Sequence, residues 1–228
     1  MASLPPLSTN YSTAIKLIDE AHAQDPNKTP AADGSGHVPY ELHYAQKMTR
    51  WLASRCPDAS PALQVACRAQ HFRRSVIPTP LTVHQALTDD LKSWELPRSS
   101  YPMTRPGYLT WRTKQKTQAA SQISELLVSM DDPPPEADIE RISALISKKD
   151  LATNEETQVL EDVACLVFLD DQLDGFESKP DNDEDKVISI LRKTWKKMSP
   201  KGREMALQMK HSDRATSLLQ KALQDDNE

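Results

Sequence analysis

Apolar side chains recur along the chain every three or four residues and almost never alternate, so the pattern predicts helices and no significant sheet. Ala14, Leu17, Ile18 and Ala21 form the first stripe, with Ser8 or Thr9 ahead of it as a cap and Pro26 beyond it as a stop. Residues 25–39, "DPNKTPAADGSGHVP", break the pattern and read as a mobile polar loop. From Tyr40 onward, Leu42, Ala45, Met48, Trp51 and Leu52 share one face of a second helix that stops before Pro57. Ser60-Pro61 opens a third, because serine accepts free first-turn N–H groups and proline suits the first helical position. That helix runs through Leu63, Ala66, Cys67, Ala69 and Gln70 to His71.

A proline-broken segment, "WELPRSSYPMTRPGY", leads into a long helix from about Gly107 to Met130. Ile139, Ile142, Leu145 and Ile146 make the next stripe. "TNEETQVLEDVACLVFLDDQLDGF" is the most apolar helix, capped by Thr153 or Asn154 with acids in its first turn. Beyond the acidic loop "ESKPDNDED" come a helix carrying Val187, Ile188, Leu191, Trp195 and Met198, another capped by Ser199-Pro200, and a last one through Leu218, Leu219 and Leu223. Residues 224–228 read as a frayed acidic tail. The expectation is an all-α single domain over residues 1–228, with about eight to ten helices.

Composition narrows this picture without redirecting it. With 38% hydrophobic and 27% charged residues, the 228-residue chain suits a helix-rich globule rather than a disordered one. The net charge of −5 argues against nucleic acid as a partner. Cys56, Cys67 and Cys165 are odd in number and form no C-x-x-C pair, so they read as reduced thiols of an intracellular protein. No stretch reads as a signal peptide or a membrane span, and the expected location is cytoplasmic or nucleocytoplasmic, without a membrane partner.

Three polar residues stand where helices would otherwise spend apolar surface: His43, His71 and Asp162, the last with Glu161 beside it. A carboxylate in a helix that is apolar all round is costly to bury without a cation, a metal or donors. Two histidines from successive helices and a later aspartate are also the makeup of an all-helical divalent-metal site, so His43, His71 and Asp162 are candidate metal ligands, and with Glu161 candidate catalytic residues. The plainer reading pairs Asp162 with Arg73 or Arg74.

The spacing of "ELHYAQKM", "ACRAQH" and "LEDVACLVFL" resembles the HD-domain fold of metal-dependent phosphohydrolases, which implies a single HD-like helical domain. In that family a His-Asp pair, an earlier His and a later Asp hold the metal; here Phe72 replaces the Asp of the pair. Nearly the whole chain, from "ELHYAQKMTRWL" through "WELPRSSYPMTRPGYLTWR" to "ILRKTWKKMSPKG", more closely resembles a fungal and bacterial family catalogued as a domain of unknown function, DUF4202, whose members sometimes carry a glutamyl-tRNA synthetase label. "KKMSPKG" does look like the K-M-S-K-S loop of class I synthetases. No parallel-sheet pattern accompanies it, however, and Ser199-Pro200 reads as a helix start, so no synthetase activity is expected.

Arg73 and Arg74 follow Phe72, and Arg98, Arg105 and Arg112 follow those, interleaved with Trp94, Tyr101, Tyr108 and Trp111. Guanidinium groups grip phosphate or carboxylate, and ring faces stack on bases. The arginines are therefore candidate anion-binding residues, with Trp94, Tyr101 and Tyr108 candidate stacking platforms for a small anionic ligand such as a nucleotide. On the alternative reading, the rings pin the segment to the helices and the arginines neutralise Asp162, Asp170 and Asp171. Set beside the resembling family, residues 75–93, "SVIPTPLTVHQALTDDLKS", look inserted, with the clean join expected of a translated in-frame intron. Two functions remain open: a degenerate phosphohydrolase acting on a nucleotide or other phosphate ester with a divalent metal as cofactor, or a non-catalytic helical binding or scaffold module.

Overall fold

The apolar stripes become helices where their spacing places them. A computed structural model describes residues 3–31, 34, 36–72, 98–173 and 183–224. In chain order these form α1 (Thr9–His22), β1 (Lys28–Pro30), β2 (His37–Pro39), α2 (Tyr40–Arg55), α3 (Pro61–Arg68), α4 (Arg105–Val128), α5 (Glu136–Ile146), α6 (Glu155–Val167), α7 (Glu184–Lys197), α8 (Pro200–Leu207) and α9 (Asp213–Gln224). A short 3₁₀ turn, Arg98–Ser100, precedes α4, and a π turn, Phe168–Gln172, extends α6. The fold is all-α, with nine α-helices among the described residues. The expected addition at 75–93 lies outside the described residues.

Within the polar 25–39 stretch, β1 and β2 pair antiparallel, Lys28 opposite Pro39 and Pro30 opposite His37. A pairing this short carries no alternating apolar face, and so gives no strand signal in the sequence. The third helix ends at Arg68, three residues short of expectation. His71 then takes φ 63°, a left-handed conformation that histidine tolerates better than most residues.

Helix α6 is apolar all round because it lies between two cores. Val159, Leu160, Val163 and Val167 join the buried residues of α1 to α5. Cys165, Leu166, Leu169 and Leu173 join those of α7, α8 and α9. The helix packs on α2 and α3 to one side and on α7 and α8 to the other. Arg68 ties α1 to α2 and α3, its guanidinium gripping both Asp19 oxygens at 2.6 and 2.7 Å and Thr49 Oγ1 at 3.0 Å.

The caps follow their chemistry. Ser60 accepts from the Leu63 N–H, Thr104 from Gly107, Asp183 from Lys186 and Ser199 from Gly202. Of the two candidates before α6, Asn154 is the cap, accepting from the Thr157 N–H at 3.0 Å. We expect Asn154→Ala to lower unfolding stability by about 1 kcal/mol and Asn154→Gly by only a few tenths. Urea midpoints at an unchanged slope would check this, and equal midpoints for both variants and the parent would mean the cap contributes nothing.

Candidate functional site

Helices α2 and α6 meet along a polar seam, and most of the chemistry lies on or near it. Asp162, fully buried on α6, accepts from Arg55 Nε of α2 at 2.8 Å, from the Ser199 N–H at 2.8 Å, from Ser199 Oγ at 2.5 Å and from Gln158 Nε2 at 3.0 Å. Ser199 Oγ in turn accepts from the Gly202 N–H, and Arg55 Nη2 donates to that same oxygen at 3.3 Å. The carboxylate thus sits at the N-terminus of α8, where the helix dipole and first-turn donors favour an anion. A Cβ on Gly202 would come within 2.7 Å of Asp162 Cγ and Oδ1, so glycine is what lets the helix start approach the carboxylate. The "KMSPKG" motif therefore reads physically as a helix start docked on Asp162. Asp162 does need a cation, as its burial implies, and among the described residues that cation is Arg55; Arg73 and Arg74 lie outside them.

Farther along the seam, the π turn carries two adjacent carboxylates back to α2. Asp171 meets Lys47 Nζ at 2.6 Å and His43 Nε2 at 3.1 Å; Asp170 meets Lys47 at 3.2 Å and accepts from Trp51 Nε1 at 3.2 Å. Burial pushes the Asp171 carboxyl up, but the hydrogen bonds and charge from Lys47 and His43 outweigh it and hold the group below its ordinary value. Lys47 thus takes the neutralising role that the arginines were expected to play for Asp170 and Asp171, with His43 and Trp51 adding hydrogen bonds.

His71 lies elsewhere. Its ring stacks on Tyr44 at 4.3 Å, and Nδ1 stands 3.6 Å from buried Glu41. Nearby, burial lowers the His22 pKa, and neutral His22 donates its Nε2–H to the Arg68 carbonyl at 3.1 Å. His43, His71 and Asp162 therefore face three different sets of partners. Among the described residues, no group of three or more His, Cys, Asp or Glu side chains is arranged to hold a metal ion. The proposed ligand set does not fit a metal.

Glu161, buried on α6 beside Asp162, anchors a second cluster. Lys148 Nζ donates to Glu161 Oε2, and Lys197 Nζ lies 3.8 Å from Oε1. Burial alone would raise the Glu161 carboxyl; Lys148 by charge and hydrogen bond, with Lys197 and Lys116, holds it below its usual value. Lys116 of α4 is half-buried. Burial, then the charge of Lys148, Arg112 and Lys197, offset in part by Glu161, draws its ammonium below the ordinary lysine range. Lys148 takes φ 55° just past the end of α5. Its N–H donates to the Leu145 carbonyl at 2.9 Å, and that of Lys149 to Ala144 at 3.0 Å, a pairing in which the left-handed residue is usually glycine.

Of the expected anion-binding residues, Arg112 joins this cluster, while Arg105 is exposed at the start of α4. Arg98 begins the 3₁₀ turn, and Arg73, Arg74 and Trp94 lie outside the described residues. Tyr101 lies under Lys114 Nζ at 5.6 Å, and Tyr108 faces Trp111 at 5.8 Å between ring centroids. Sequence reasoning missed Arg55, Lys47, Lys116, Lys148 and Lys197. Arg55 did leave a signal: it continues the Met48–Leu52 spacing of α2 onto the buried stripe.

A family model described as Domain of unknown function (DUF4202) matches residues 12–81 and 80–219. The two matched pieces meet inside the stretch read as an addition. No curated protein and no solved structure matches the chain.

Proposed function

The chain belongs to the family described as a domain of unknown function (DUF4202), and from that starting point we propose that it is a helical binding module for a small phosphate-bearing anion, held by Arg112, Lys116, Lys148 and Lys197. One observation carries this reading. Three cations, Lys116 of α4, Lys148 of the α5–α6 connection and Lys197 at the end of α7, act on one buried carboxylate, Glu161, which balances only one of their charges, and Arg112 adds a fourth positive charge that acts on Lys116. An anion entering there would offset the excess positive charge and relieve the mutual repulsion of half-buried cations.

The HD-like likeness enters as architecture, without the metal chemistry, because His43, His71 and Asp162 do not form a ligand set. Catalysis on a phosphate ester is a second reading, supported by the His43–Asp171 pair: a carboxylate that orients an imidazole is a common arrangement for a general base. We place the protein in the cytoplasm or nucleocytoplasm. Its three free cysteines suit that assignment, as does the lack, among the described residues, of any helix long and apolar enough to cross a membrane.

Calorimetric titration with inorganic phosphate, pyrophosphate and nucleoside phosphates tests the binding reading. Binding should weaken at least tenfold in Lys116→Met and in Lys197→Met, with folding retained by circular dichroism. No heat from any of these anions, or binding indifferent to both substitutions, would retire it. A phosphoesterase panel with His43→Ala as control addresses the second reading, and turnover that survives the substitution would reject it.

A further inference from the structure

The formal charge of −5 is unevenly distributed. Between Glu95 and Glu125 the chain has no acidic residue and five cations, Arg98, Arg105, Arg112, Lys114 and Lys116. Most of this stretch forms the loop before α4 and the first half of α4, roughly 20 Å of helix from Arg105 to Ala119. From Ser99 to Ala119 only Gly107 is buried, and the core-facing residues of α4, Ala120, Ile123 and Leu127, all fall in its second half. The first half therefore projects beyond the core. Among the described residues no carboxylate forms an ion pair with Arg105, Arg112, Lys114 or Lys116.

Rings and apolar side chains lie among these cations. Met103 is 81% exposed, Tyr108 47% and Leu109 54%, while most other large apolar side chains among the described residues are covered. Tyr108 and Trp111 form a tilted pair one turn apart, and Lys114 covers Tyr101. The arrangement is also held in place: the Pro102 carbonyl lies 2.2 Å from where a Gly107 Cβ would be, so the loop bearing Tyr101 is pressed against the first turn of α4. The stretch is long and mostly exposed, with its cations spread along the helix, which suits a polymer better than a small ligand, since small molecules favour concave pockets.

We propose that the projecting half of α4, with its preceding loop, binds single-stranded nucleic acid, the cations Arg105, Arg112 and Lys114 following the phosphates and Tyr108 offering a stacking face for a base. An acidic peptide would satisfy the cations but leave the ring faces without a stacking partner. A duplex hides its bases and offers Tyr108 nothing to stack on. Bases stack on aromatic side chains with little regard to sequence, so the surface should bind strands by form rather than by order of bases. This goes beyond the small-anion reading, with which it shares Arg112 but not Tyr108, Arg105 or Lys114.

The test is fluorescence anisotropy of the full chain with a labelled oligo-uridine and a labelled oligo-thymidine of about 12 nucleotides, titrated at several salt concentrations. With three phosphates neutralised, log K should fall against log salt with a slope of about −2, and Arg105→Gln should flatten that slope by about 0.7. Tyr108→Ala should weaken binding by roughly 5- to 100-fold, while Tyr108→Phe should bind nearly as the parent does. Phosphate titration of the same variants separates the two proposals, because neither substitution touches the Glu161 cluster. Binding of a duplex or a poly-glutamate peptide as tight as that of the single strand would overturn the inference. So would unchanged binding in Tyr108→Ala, or no anisotropy change at low salt.

Discussion

Replacing Asp162 by alanine should lower the stability of the protein by about 3–5 kcal/mol, because it strands the Arg55 guanidinium in a buried site and removes the anion from the start of α8. For a chain of this length that corresponds to a fall in melting temperature on the order of 10 °C. Three features make the loss large. The carboxylate is fully buried, it accepts four hydrogen bonds, and those bonds join α2, α6 and the α7–α8 connection at one point. Pairing Asp162→Ala with Arg55→Met should return part of the loss, since removing both partners leaves no buried charge. Gly202→Ala should act on the same point from the other side: its methyl group would press on the carboxylate and cost about 1–3 kcal/mol. Chemical denaturation of the three variants is the measurement. An Asp162→Ala midpoint equal to that of the parent would sink the structural role and return Asp162 to the candidates for chemistry.

That role marks the boundary of what could be read in advance. Helix positions were legible because their signals are local: the stripe of Ile139, Ile142, Leu145 and Ile146, the Ser60-Pro61 start, the all-round apolarity of α6. The isolated cost of Asp162 and its need for a cation were legible for the same reason. Its partner was only faintly so, since Arg55 lies far off in sequence and its one local mark is its place on the buried stripe of α2. The apparent metal set fails on a point of geometry. His43 of α2 meets Asp171, His71 of the turn after α3 meets Tyr44 and Glu41, and Asp162 meets Arg55, so the three do not form one ligand group. Spacing counts residues along helices; it does not fix which faces meet. The cationic surface of α4 was half legible, its residues in view but its meaning hidden by a net charge that averages two unlike surfaces.

Lys148 offers the sharper test of the Glu161 cluster, because its backbone and its side chain pull stability in opposite directions. At φ 55° a side chain costs roughly 1–2 kcal/mol that glycine would not. Lysine remains compatible with the fold because its ammonium reaches Glu161, a carboxylate only 5% exposed. Lys148→Met keeps the backbone cost and leaves Glu161 without its closest cation; we expect a loss of about 3–5 kcal/mol at pH 7. Lys148→Gly also loses the ion pair but removes the backbone cost, so it should be the more stable of the two by roughly 1 kcal/mol. The pH dependence follows from the sign of the Glu161 shift. In the parent its pKa is held below the usual carboxylate value, so its contribution is fully present above that value and is lost as pH falls through the folded pKa. In Lys148→Met burial acts with less opposition, the carboxyl titrates higher, and its protonated form is the easier one to bury. The stability gap between parent and Lys148→Met should therefore narrow as pH falls from the variant's raised folded value toward the parent's depressed one. Urea unfolding of both proteins at pH 7, 5 and 4 measures it. A gap that stays constant across that range would mean that Lys148 acts through packing alone and that Glu161 carries no charge-dependent share of the stability.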